Sequence, residues 1–91
     1  MAAKAEISWR RQTDEGERLH VYAKHRGDQW LFFQRAKRYD QWRLIEHPPL
    51  EDWLELLDAI RRRIARRLLK PEEEPRILRT IAERFPQANL R

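Results

Sequence analysis

Apolar and polar residues alternate singly in the first half of the chain, and apolar residues recur every three or four positions in the second. In EISWRRQ, residues 6–12, Ile7 and Trp9 alternate with Ser8 and Arg10; in RLHVYAK, 18–24, Leu19, Val21 and Ala23 alternate with His20, Tyr22 and Lys24. A period of two sends successive side chains to opposite faces and predicts half-buried strands. Asp14-Glu15-Gly16 between them is turn chemistry, because glycine accepts the positive φ that tight connections often require. Arg26-Gly27-Asp28 supplies the next turn, QWLFFQRAK (29–37) a third strand, Tyr39-Asp40 another turn and QWRLIEH (41–47) a fourth strand. Pro48-Pro49 ends the sheet, since proline has no amide hydrogen to give a ladder. Connections this short imply an antiparallel meander over residues 5–47.

From Leu50 the period becomes helical. Leu50, Trp53, Leu54, Leu57, Ile60, Ile64 and Leu68 fall on one stripe, which predicts a long amphipathic helix over 50–70 that must bury this stripe against the sheet. Glu51, Asp52 and Glu55 near its start and arginines near its end suit the helix dipole. Pro71 and Pro75 break the run, and a shorter helix over 74–85 carries Ile77, Leu78, Ile81, Ala82 and Phe85, followed by a frayed tail, 86–91. Glu72-Glu73-Glu74 reads as the acidic first turn of that helix. The expected fold is α+β: a four-stranded antiparallel meander sheet followed by a long amphipathic helix and a short second helix. A chain of 91 residues has apolar surface for one modest core, hence a single domain.

Charge narrows the partners. Twenty Lys and Arg against fifteen Asp and Glu leave +5, which favours acidic partners. The excess lies before residue 71: residues 1–46 hold 10 basic and 7 acidic side chains, 47–70 hold 6 and 4, and 71–91 hold 4 and 4. With no cysteine, neither disulfides nor thiolate metal sites contribute. No stretch nears the roughly 18 apolar residues of a membrane span, and Met1–Ala5 lacks the apolar core of a secretion signal, so the expected address is cytoplasmic.

Catalytic chemistry finds little support. His20 and His25 lie an odd number of residues apart and face opposite ways on one strand, while His47 sits beyond the sheet beside Pro48, so no metal triad forms. Ser8 is the lone serine and there is no Gly-rich phosphate loop, which leaves no nucleophilic constellation and implies neither cofactor nor small-molecule substrate. The Arg26-Gly27-Asp28 tripeptide reads as a hairpin turn rather than an adhesion signal.

Two features remain. DAIRRRIARRLLK, 58–70, places Arg62 and Arg66 opposite the apolar stripe with Arg63 on its flank, and Asp58 one turn before Arg62. That reads as a solvated helix face whose Arg62, Arg63 and Arg66 are accessory cations at most. The third strand is the sharper anomaly, because Trp30 and Phe32 point to one side and Leu31 and Phe33 to the other. Two helices can cover only one face of a sheet. With Trp30 and Phe32 on the uncovered face beside Arg10, Tyr22, Lys24 and Arg43, rings and cations would interleave there, which is what unpaired bases and their phosphates require. The same residues also allow a dimer seam or the completion of a small core.

The order of elements, together with Lys24-His25-Arg26-Gly27-Asp28-Gln29-Trp30-Leu31, resembles the Pur-type nucleic-acid-binding repeats and the related Whirly group over residues 5–69. In that family a four-stranded antiparallel sheet precedes a helix, here matched by LEDWLELLDAIRRRIARRL, and the second turn tends to run Asn, two basic residues, Gly, two variable residues, then Phe or Tyr and Leu. The resemblance implies single-stranded DNA or RNA as partner, and a homodimer, since a single repeat needs a second copy to complete the paired unit. Lys24 stands where the family usually has its base-contacting Asn, a departure compatible with phosphate contact. The second helix has no counterpart in a single repeat.

The expected function is thus a non-catalytic module for single-stranded DNA or RNA. Tyr22, Trp30 and Phe32 would stack on bases, and Arg10, Lys24, Arg26 and Arg43 would contact phosphates. The alternative is a protein-interaction or homodimerisation module in which the basic helix is merely wet.

Overall fold

A computed structural model describes residues 6–27 and 29–88. Residue 5 at the expected sheet start, Asp28 of the second turn, and 89–91 of the expected tail lie outside the described residues. The chain divides between Pro48 and Pro49 into two compact units.

The first unit is an antiparallel meander, β1 (Glu6–Gln12), β2 (Arg18–Arg26), β3 (Gln29–Arg35) and β4 (Arg43–Ile45), with strand order β1-β2-β3-β4. The β1–β2 turn is closed by the Thr13 amide donating to the Glu17 carbonyl at 2.8 Å and the Gly16 amide donating to the Thr13 carbonyl at 2.9 Å. Thr13 Oγ1 also accepts from the Glu17 amide at 3.0 Å. Gly16 has φ 87°, in the left-handed region that a side chain makes costly. Gly27, at φ 64°, starts the next turn, and pairing runs up to Arg26 opposite Gln29. The fourth strand is shorter than the period of two predicts, with only Arg43–Ile45 in the ladder and Trp42 outside it. The preceding turn is fastened locally instead. The Asp40 amide donates to the Lys37 carbonyl at 2.9 Å, and the Lys37 amide donates to Asp40 Oδ2 at 3.0 Å.

Register assigns the faces. Ala23 opposes both Ile7 and Phe32, Phe32 opposes Ile45, and Val21 opposes Trp9. These residues share one face, and Ile7, Leu19, Val21, Ala23, Trp30 and Phe32 on it are buried, Phe32 to 1% exposure. The Trp9 ring meets Phe32 edge-on at 5.9 Å and His25 stacks on Trp30 at 4.7 Å. The side chains of Arg11 and Gln34 join at 3.1 Å at one end of this face.

The second unit is a helical hairpin of α1 (Leu50–Ala65) and α2 (Glu73–Arg84). Trp53, Leu56, Leu57 and Ile60 recur at the three-and-four spacing of a helix stripe and are buried with Asp52 and Ala59. The stripe is rotated from the expected one: Leu56 is fully buried, whereas Leu54 is 38% exposed. The helix also stops five residues early. The Leu68 amide donates to the Arg63 carbonyl at 2.8 Å and the Arg67 amide to the Ile64 carbonyl at 2.9 Å, the paired bonds of a Schellman cap. Arg67 takes the left-handed position of that cap with φ 61°. Leu68, expected on the stripe, therefore lies beyond the helix, 56% exposed.

Pro75 falls in the first turn of α2, where its missing amide hydrogen is not needed. Ile77, Ile81 and Glu73 of this helix are buried, while Ala82 is exposed. Arg61 near the end of α1 donates to Glu74 at the start of α2 at 2.7 Å, and Arg84 at the end of α2 lies over the Trp53 ring at 5.3 Å. These contacts tie both ends of an antiparallel pair.

Candidate nucleic-acid interface

On the face of the sheet opposite Phe32, alternation and register place Glu6, Ser8, Arg10 and Gln12 of β1 with Arg18, His20, Tyr22, Lys24 and Arg26 of β2. Gln29, Leu31, Phe33 and Arg35 of β3 and Leu44 of β4 complete it. None of these residues is buried. Among the described strand residues on this open face, Arg10, Arg18, Lys24, Arg26 and Arg35 are cations and Glu6 is the one carboxylate.

Its centre is aromatic. Phe33 lies directly across from Tyr22, and their rings stack at 4.9 Å with 17° between planes. Trp42 meets Tyr22 edge-on at 4.6 Å and His20 at 5.1 Å, while the Arg35 guanidinium sits 4.2 Å from the Trp42 ring centre. A cation over an indole face gains from the ring quadrupole and is held in place by it. Phe33, Tyr22 and Trp42 are all half-buried, so the strip has a fixed base and an accessible outer surface. Burial, with Glu6 adding to it, raises the Tyr22 hydroxyl above its ordinary value of 10.0, so the phenol stays neutral at physiological pH.

Beside the strip lies a groove of about 620 Å³ lined by Arg10, Arg18, His20, Arg35, Lys37 and Arg38 together with Leu19 and Ala36. Among the described residues no carboxylate lines it. Burial, then the charges of Arg35 and Arg10, hold the His20 imidazole below its usual 6.5. A second groove of about 440 Å³ has mixed charge, with Glu17 and Asp40 beside Arg35 and Arg43.

The expected site is therefore partly reassigned. Arg10, Tyr22, Lys24 and Arg26 share the open face as expected. Trp30 and Phe32 do not: they are buried on the other side, at 9% and 1% exposure, and are core residues rather than platforms. Arg43 is also on the other side, since it opposes Gln34 two residues from the Phe32–Ile45 pair, and it is exposed beside the mixed-charge groove. The physical reason is one register. A connection between Arg26 and Gln29 makes Phe32 oppose Ala23 and Phe33 oppose Tyr22, so the small, buried Ala23 selects which aromatic goes inside.

Phe33, Trp42, His20 and Arg35 are the residues sequence reasoning missed. The signal for Phe33 was present in the short glycine turn after β2, which sets the pairing of everything after it. Trp42 carried none, because it reaches the strip from outside the ladder. Of the helix arginines, Arg62 pairs with Asp58 one turn earlier as expected, Arg63 is half-buried, and Arg66 is an exposed helix cap. Among the described residues no group of three or more His, Asp or Glu could hold a metal ion, and no helix is long and apolar enough to cross a membrane. Compared with protein-family models, curated proteins and solved structures, the chain matches none.

Proposed function

We propose that the open sheet face is a non-catalytic binding surface for single-stranded DNA or RNA. Unpaired bases stack along Phe33, Tyr22 and Trp42, and Arg10, Lys24, Arg26 and Arg35 neutralise the phosphates that follow. The observation that carries this reading is a strip of half-buried rings flanked by five cations and one carboxylate, with an arginine laid on the Trp42 ring. Stacking accepts any base, because every base has a π face, while cations along the strip track the backbone. The likeness of residues 5–69 to Pur-type repeats supports the same partner and a homodimer, and Lys24 in place of the family's Asn fits contact with phosphate.

The test is fluorescence anisotropy of a labelled oligothymidylate at two salt concentrations. Four phosphate contacts on a single strand give a log–log slope near −2.8, so raising salt from about 50 to 200 mM weakens binding roughly 50-fold. Trp42→Ala at fixed salt costs about 1–3 kcal/mol of affinity. A second reading, that this face docks another protein or a second copy of the chain, draws on Leu44 of this face, which is 53% exposed. Docking through apolar groups barely responds to salt, and the salt series separates the two.

A further inference from the structure

We propose that the basic groove is a receptor for a phosphomonoester, so that a bound strand is gripped by a phosphorylated terminus as well as by its internal diesters. The strand part of this statement rests on the function proposed above; the phosphate part rests on the groove itself.

Four segments converge there: Arg10 from β1, Arg18 and His20 from β2, Arg35 from β3, and Lys37 with Arg38 from the loop that follows. Arg10 opposes His20 and His20 opposes Arg35, so two arginines flank an imidazole in a cross-strand row on one face. Burial, then both arginine charges, hold the imidazole between them below its usual 6.5, so the row carries two guanidinium charges around a neutral ring. Among the described residues no acidic side chain lines the groove. Arg35 Nε is buried and has no hydrogen-bond partner among the described residues, which leaves a donor unmet. Five clustered cations with an unsatisfied guanidinium nitrogen among them favour an incoming anion.

The count of donors selects the kind of anion. An internal phosphodiester brings one negative charge and is tethered on both sides. A terminal phosphomonoester carries about −1.5 to −2 at neutral pH and three strong acceptor oxygens, enough for one to three additional charge-assisted hydrogen bonds. Five Arg and Lys side chains around one concavity exceed what a diester can use. Trp42 links this groove to the stacking strip, because its ring lies against His20 and Arg35, which line the groove, and against Tyr22 of the strip. A terminal nucleotide is therefore recognised at both ends, its phosphate in the groove and its base on the rings.

The experiment has two arms. In the first, anisotropy compares an oligothymidylate of about twelve nucleotides, within the span of single-strand sites, bearing a 5′-phosphate, a 3′-phosphate or hydroxyls at both ends. One phosphorylated terminus binds tighter than the hydroxyl strand by on the order of tenfold, and the identity of that terminus gives the strand polarity. Arg18→Ala and Arg38→Ala, exposed groove residues away from the rings, bring this ratio to about one. Measurable but equal affinities for all three strands overturn the proposal and leave the stacking reading standing.

In the second arm, ¹⁵N-labelled protein is titrated with thymidine, thymidine 5′-monophosphate and thymidine 3′-monophosphate, with His20 and Arg35 side-chain resonances as readout. Should no strand bind at all, the stacking reading falls and this arm decides the groove. Shifts with a monophosphate and none with thymidine support it; no shift with either monophosphate sinks it.

Discussion

Truncating Phe32 and Phe33 one at a time tests the face assignment on which the interface depends. The Phe32 ring is 1% exposed and meets Trp9 edge-on. Replacing a fully buried phenylalanine by alanine costs about 3–5 kcal/mol, the lost transfer energy plus the cavity left behind. For a chain of this size each kcal/mol is about 4–8 °C in Tm, so a loss near 4 kcal/mol lowers Tm by about 16–32 °C. Total stability of a small domain is only about 5–15 kcal/mol, and Phe32→Ala takes up much of it. Phe33 is half-buried and stacked on Tyr22. Its loss removes an aromatic pair worth about 0.5–1.5 kcal/mol and roughly 1 kcal/mol of partial burial, near 2 kcal/mol together. The strand affinity then falls by about 1–3 kcal/mol, or roughly 5- to 150-fold. Far-UV circular dichroism melts give the stability order, and anisotropy below the lower Tm gives the affinity. A Phe33→Ala variant as unstable as Phe32→Ala, or one that binds oligothymidylate like the parent, would refute the assignment.

Arg67→Gly raises stability by about 1 kcal/mol in urea titrations, because the left-handed φ of 61° at this cap costs an L side chain about 1–2 kcal/mol and glycine recovers most of it; an unchanged midpoint argues against the Schellman cap. His20 binds its proton later in the folded chain than in the unfolded one as pH falls, since burial and the Arg35 and Arg10 charges depress its affinity. Its contribution to stability is complete above about pH 6.5 and is lost as pH drops through and below that value, so the urea midpoint of His20→Gln falls less on acidification than that of the parent. Glu74→Gln breaks the α1–α2 ion pair, whose side chains are 42% and 35% exposed, and lowers stability by about 0–1 kcal/mol at low salt, with no difference left at about 1 M salt.

The kind and order of the elements were legible because they depend on spacing alone. A period of two before Pro48 and a three-and-four spacing after Leu50 are local properties, and so are the glycine turns at 16 and 27 that separate β1, β2 and β3. Acidic first turns, the Asp58–Arg62 pair and the open-face position of Arg10, Tyr22, Lys24 and Arg26 follow from the same arithmetic. Spacing says which side chains share a face, though not which face is buried. For β3 both faces are apolar, and the choice fell to cross-strand neighbours: Ala23 leaves room for Phe32 inside, while Tyr22 offers Phe33 a ring to stack on.

The end of α1 was hidden for a related reason. No glycine or proline marks it, and an arginine adopts the left-handed cap because two backbone hydrogen bonds hold it there. The basic groove was the least visible, since Arg10, Arg18, Arg35 and Arg38 are scattered over 29 residue numbers and become neighbours only when three strands and a loop are laid side by side. The chain by itself thus determined which segments pleat, which coil and which side chains travel together. Tertiary structure alone decided which face of the sheet went inside and which cations met, because both depend on pairing energies between residues far apart in the chain.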